Sequence, residues 1–304
     1  MSSKRPYLLL SIIILLWGMN FVISRIISGI NPVRISGILF GLFRYSIGAL
    51  TMMVVLLYRR EGLSTIRNEI RPYKAVLLLS AFFSAIFVMA SHVSAEFVSS
   101  GTTSIIVNLC PIFVLLYGVQ YLDEQITYRK VIGFSLGLGG GLIFLWDSIM
   151  FSPGLEFGIF LALIAMFAWG SYTITLHYLE GANPYIVMTV KHVTSSIMIL
   201  PFIAILAMEG TLFILVLDIW SILGILFSGV LASGLAYVLY FTAIELLGAP
   251  KASSFLFLVP FVSVLGDFVL GEPPALIALI AGAIALIGVA FVKWSSSNGS
   301  ESDD

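Results

Sequence analysis

Two cations lie deep inside apolar stretches of this sequence, Arg44 and Lys191. If those stretches cross a bilayer, an isolated charge at the centre costs at least ~2.5–3.5 kcal/mol, so each must face a cavity, a partner or the interface. One reading has them binding the carboxylate or phosphate of an anionic solute. In the other, Arg44 fixes two helices through carbonyls or a neighbouring acid. Lys191, about 10 Å from the inner end of its segment at 1.5 Å per residue, then snorkels to the headgroups. Acids that could balance them are few: Asp267 inside a late apolar segment, Glu96 and Glu245 at segment edges. An embedded carboxylate or imidazole can carry a coupling proton, which makes Asp267 and His192 the coupling candidates. His92 is eligible for that role and for substrate contact.

A second layer is aromatic and amide. Trp17 and Asn20 stand three apart, as do Trp169 and Tyr172, so each pair shares one helical face. With Tyr237, Tyr240 and Asn108 they offer rings and amides suited to a small organic solute with polar and apolar parts. An interfacial belt or plain packing is the bland alternative for the rings. Gly133, Gly137 and Gly141, and likewise Gly229 and Ser233, have the spacing of close helix contacts. Glu124 and Glu272 read as helix caps.

Chemistry of other kinds finds no footing. There is no His-Glu-x-x-His and no intramembrane Gly-x-Ser-Gly, and the three histidines are too scattered to specify a metal site. One cysteine, Cys110, excludes an intrachain disulfide. The glycines around Gly137 and Gly139 have no preceding strand and no Walker lysine. We therefore expect no enzyme, no cofactor and no metal.

The elements that must hold these residues are apolar helices. The chain is 60% hydrophobic and 10% charged with a mean hydropathy of +1.09, against roughly 25% charged in soluble domains. That defines a helical membrane protein, and a net charge of −1 gives no reason to expect nucleic-acid binding. Ten spans are expected, at about 7–29, 34–58, 74–94, 99–121, 128–147, 154–177, 185–208, 217–242, 250–270 and 274–293. Pro111, Pro201 and Pro260 fall inside spans, where they should kink or open the helix. The tail, 294–304, reads as disordered. Basic residues flanking the spans divide eleven to two, which puts both termini in the cytoplasm.

The order repeats. Trp17-Gly18 is followed by Asn31-Pro32, and Trp169-Gly170 by Asn183-Pro184, at a constant offset of 152 residues. Residues 1–147 and 154–293 thus form two five-span repeats, and the odd number of spans inverts the second relative to the first. Inverted repeats are a recurrent transporter design with the solute site where the halves meet.

On the Trp-Gly…Asn-Pro openings, Arg44, and the run Ala236-Tyr237, Tyr240, Ala243, Leu247-Gly248-Ala249, Pro260, Leu270-Gly271-Glu272, Gly282 and Gly288, the chain resembles the drug/metabolite transporter superfamily, in its ten-helix form with two EamA-like repeats. The Pro273-Pro274 pair after Glu272 departs from that pattern. The resemblance covers about residues 7–293. It implies a 5+5 inverted fold in the cytoplasmic membrane, with lipid and a small-molecule substrate as partners. It also implies export of amino acids or related metabolites by alternating access, around a cavity lined by spans one, three, four, six, eight and nine. A carrier of phosphorylated or nucleotide-linked sugars is the rival, favoured if Arg44 and Lys191 face the cavity together. A non-transporting scaffold or sensor is the rival from another class.

Overall fold

The computed structural model describes residues 5–122, 127–151, 156–271 and a few positions between 276 and 288. Nearly all of them are helical, as continuous apolar runs require where lipid cannot satisfy a backbone amide. In order the helices are α1 (Arg5–Ser24), α2 (Gly37–Tyr58), α3 (Leu63–Ile70), α4 (Lys74–Phe97), α5 (Ser100–Val107), α6 (Cys110–Tyr121), α7 (Tyr128–Phe151), α8 (Glu156–His177), α9 (Pro184–Met208), α10 (Ile219–Leu226), α11 (Ala236–Leu247), α12 (Ala249–Ser254) and α13 (Val259–Val269). Eight spans among the described residues are long and apolar enough to cross a membrane, and α7 adds a shorter apolar stretch, Val131–Gly140. The tail, Glu124, Glu272 and most of the expected tenth span lie outside the described residues. The eighth span runs to Leu247, five residues past expectation, and stops where Gly248 takes a positive φ of 77°.

Two spans are broken. In the fourth, α5 ends at Val107 and α6 begins at Cys110, with Pro111 in its first turn. In the ninth, a 3-10 turn, Phe255–Leu258, separates α12 from α13, with Pro260 in the first turn of α13. Proline has no N–H to donate, so a helix restarts at it more readily than it runs through it. Pro201, by contrast, stays within an unbroken α9. Two further irregularities have no proline signal. α1 widens into a π-helix at Arg25–Gly29, and Phe227–Leu235 links α10 to α11 as a second.

The glycine of each Trp-Gly pair marks a helix crossing. A Cβ on Gly18 would lie 2.4 Å from the Val262 Cβ, and one on Gly170 2.8 Å from the Phe113 ring. Span one therefore seats against the broken span nine, and span six against the broken span four. The repeat is visible in the packing as well as in the letters.

At one end of the bundle the connections entering α2 and α10 clasp each other. Ile35 bridges to Leu215, Val216 N donates to Arg34 O at 2.7 Å, and Ser36 N donates to Ile214 O at 3.0 Å. Arg34 Nε donates to Asp218 Oδ2 at 2.9 Å. Asp218 also caps α10 by accepting from Ser221 N. That amide bond, with help from the Ser221 hydroxyl and Arg34, holds the exposed Asp218 carboxyl down to about 2.

Candidate functional site

The two repeat-related tryptophans meet. Trp17 and Trp169 are 4.9 Å apart edge to face, and Tyr240 packs on both, at 5.0 Å from Trp17 and 5.8 Å from Trp169. Trp17 Nε1 donates to Ala232 O at 2.9 Å, a carbonyl in the second π-helix. The irregular winding thus supplies an acceptor at the point where the two halves touch.

Beside this pair lies a narrow cavity. Span one gives it Trp17, Asn20 and Phe21; span two, Arg44; span three, Phe87. The breaks in spans four and nine supply Val107, Asn108 and Val259, and spans six and eight add Trp169 and Tyr237. These are the spans expected to line it, with span two added. The enclosed space is about 20 Å³, little more than the 10–15 Å³ that one water needs. The helices must part before a metabolite fits.

Arg44 is 3% exposed. Its Nε donates to Ser233 Oγ at 2.8 Å, and Nη1 lies 3.1 Å from His92 Nε2. A guanidinium only donates, so His92 Nε2 accepts and its Nδ1 carries the proton. That proton points to Ser24 Oγ at 2.6 Å. Glycine makes the α2 crossing possible: a Cβ on Gly229 would stand 2.5 Å from Ile47 and 3.2 Å from Arg44 O.

Lys191 does not snorkel. It is 0% exposed, with Nζ 3.7 Å from the Tyr237 ring centre, 4.6 Å from Tyr45 and 5.2 Å from Tyr172. It donates to Ser84 Oγ at 3.2 Å and to His192 Nε2 at 3.1 Å. His192 Nδ1 in turn donates to Met188 O at 2.7 Å, which fixes the same tautomer as in His92. From Ser84 Oγ the chain of bonds continues to Tyr45 OH at 2.7 Å and Tyr237 OH at 2.8 Å. Tyr237 is thus shared between the cavity wall and the cage around Lys191. No carboxylate among the described residues hydrogen-bonds to Arg44 or Lys191.

The remaining candidates divide. Asn20 is 3% exposed and its Oδ1 has no hydrogen-bond partner among the described residues. Asn108 gives its amide to Ser104 O at 2.7 Å. Tyr172 lies behind Trp169, its hydroxyl 3.6 Å from Met188 Sδ. Tyr240 reaches Thr173 at 3.4 Å. Asp267 lies at the N-terminus of α5, where it accepts from Ser100 Oγ and, at 2.7 Å, from Gly101 N. His92, Tyr172, Lys191, His192 and Tyr240 therefore support the cavity without lining it, and Asp267 lies away from it at the far end of α5.

Sequence reasoning missed Phe21, Phe87, Val107 and Val259 on the wall, and Tyr45, Ser84 and Ser233 behind it. Phe21 follows Asn20 and Tyr45 follows Arg44, but nothing distinguishes either from its many apolar neighbours.

A polytopic helical bundle with broken spans converging on a buried cavity of aromatic walls and a few polar groups is the architecture of a solute carrier. A family model described as the EamA-like transporter family matches residues 4–146 and 156–294, and the chain belongs to that family. An uncharacterized transporter of Archaeoglobus fulgidus is 26% identical over 95% of this chain and 98% of its own length. An uncharacterized protein of Pseudomonas aeruginosa is 30% identical over 94% and 96%. A Streptantibioticus cattleyicolor protein named "Probable terminal-alkyne amino-acid exporter" is 23% identical over 91% and 92%. A crystal structure 17% identical in sequence shares the fold with a TM-score of 0.73, covering 94% of this chain and 96% of that one. The protein is a multi-pass membrane transporter of this family.

Proposed function

We propose that the chain exports small metabolites, amino acids or related compounds, across the cytoplasmic membrane by alternating access. In this reading residues 1–147 and 154–293 are inverted five-helix repeats, both termini are cytoplasmic, and no bond chemistry is performed. The observation that carries it is a cavity between the repeats that presents one cation, Arg44, and one unpartnered acceptor, Asn20 Oδ1, among aromatic walls. The name of the Streptantibioticus relative supports the amino-acid assignment. Trp17, Asn20, Arg44, Asn108, Trp169 and Tyr237 make the solute contacts; His92, Tyr172, Lys191 and Tyr240 hold them in place.

Two buried cations also favour a carrier of phosphorylated or nucleotide-linked sugars. Only Arg44 lines the cavity, however, which suits a single negative charge better than a phosphate.

Asp267 and His192 are the proposed coupling positions. A proton on His192 Nε2 would turn the acceptor of the Lys191 bond into a donor and drive the two apart.

The test is amino-acid flux in proteoliposomes carrying a pH gradient. We expect saturable flux, loss of gradient drive in Asp267→Asn or His192→Gln, and arrest when cysteines at positions 35 and 215 are cross-linked across the clasp, reversed by reductant. Absence of saturable flux for any solute would favour a scaffold. Flux that persists with the clasp locked would mean that it is no gate.

A further inference from the structure

We infer that the cavity reads both ends of a zwitterionic α-amino acid with an apolar side chain, its carboxylate on the Arg44 guanidinium and its ammonium on the Asn20 side-chain oxygen. The inference rests on the amino-acid reading above and extends it to which protein group takes which end of the solute.

The carboxylate assignment follows from what Arg44 has already spent. Nε is committed to Ser233 and an Nη1 hydrogen to His92. Nη2 has no partner among the described residues, and Arg44 lines the cavity. The groups that hold Arg44, a hydroxyl and an imidazole nitrogen that must accept, are neutral, so they orient the charge without cancelling it. A solute carboxylate supplies the missing countercharge through charge-assisted hydrogen bonds.

The ammonium assignment follows from Asn20. A buried side-chain oxygen without a partner is costly to keep, so its retention on a cavity wall points to a donor that comes and goes. Asn20 is on span one and Arg44 on span two, so the two ends are read by different helices. Arg44 itself fixes the polarity. Its guanidinium repels a solute ammonium toward Asn20 and the tryptophan faces, where cation–π attraction adds to the hydrogen bond. A plain amine pairs with the Asn20 oxygen but leaves the Arg44 charge without a countercharge. A plain carboxylic acid leaves the Asn20 oxygen unpaired. Apart from Asn108, the rest of the wall is the Trp17, Trp169 and Tyr237 rings with Phe21, Phe87, Val107 and Val259, which favours an aliphatic or aromatic side chain.

The decisive experiment compares calorimetric affinities of the purified full-length protein in detergent for L-leucine, L-leucinamide and N-acetyl-L-leucine. We expect each blocked form to bind about tenfold or more weakly than leucine, the loss of at least one charge-assisted hydrogen bond. Arg44→Lys should narrow the leucine-to-leucinamide ratio and leave the acetyl ratio unchanged. Asn20→Leu should do the reverse. The wild-type comparison needs no variant to fold. Leucinamide or N-acetyl-leucine binding as tightly as leucine overturns the two-ended reading while leaving amino-acid export intact. Binding of none of the three, with no response to L-phenylalanine or L-methionine, overturns both.

Discussion

At the residue scale, the protein keeps an arginine and a lysine inside a membrane bundle by giving them uncharged partners. Arg44 has a serine and a histidine; Lys191 has a serine, a histidine and three tyrosine rings. A buried charge held this way contributes little net stability, because desolvation offsets what the contacts return. The shape of the side chain matters more. Lys191→Met removes the amine but fills the tyrosine cage, whereas Lys191→Ala empties it. We expect the Met variant to exceed the Ala variant by about 1–3 kcal/mol, the cost of a buried cavity partly relieved by collapse, read by thermal unfolding in detergent. Equal stabilities would show that Tyr45, Tyr172 and Tyr237 close over the gap. The snorkelling alternative for Lys191 fails because its neighbours are nonlocal. Tyr45 is on span two, Tyr172 on span six and Tyr237 on span eight, and no spacing in the sequence announces that they converge.

At the scale of elements, glycine decides how closely helices approach and proline where they restart. The Trp-Gly pairs were legible as a repeat, but their mechanical meaning was not: each glycine seats its span on the broken span four or nine. Gly18→Val should destabilise the protein by about 1–3 kcal/mol through overpacking against Val262, with the larger effect on solute binding, since Trp17 and Asn20 ride on the same helix. Unchanged stability together with unchanged affinity would remove the crossing from the argument. The breaks themselves were half legible. Pro111 and Pro260 predicted openings, and the openings place Val107, Asn108 and Val259 on the cavity wall. Pro201 behaves otherwise, and the π-helices at Arg25–Gly29 and Phe227–Leu235 carry no residue signal, because an extra residue in a turn is a response to packing.

At the scale of the molecule, the two halves are joined by the paired tryptophans within and by the clasp at one end. Asp218 makes the clasp acid-sensitive. Its carboxyl is held down to about 2 from an ordinary value of 3.8, so its contribution is fully present above about 4 and is lost as the pH falls toward about 2. Protection from hydrogen exchange in segments 34–36 and 214–216, relative to the intrinsic rate at each pH, should fall across that window. Asp218→Asn should exchange faster at neutral pH and show no acid step; an unaltered step would assign it to another group.

The sequence by itself determined the class, the family with its two repeats, and the eight spans seen among the described residues, because these depend on composition and on residues read one after another. It also singled out Arg44, Asn20, Asn108, Trp17, Trp169 and Tyr237 as candidates, all of which the fold brings to one cavity. Only the tertiary structure separated these from Lys191, His92, His192, Tyr172 and Tyr240, which lie behind the wall, and from Asp267, at the far end of α5. That sorting depends on the rotation of each helix about its axis and on which of two faces meets the centre. In a segment that is apolar all round, periodicity marks neither face, and only the packing of the other helices chooses.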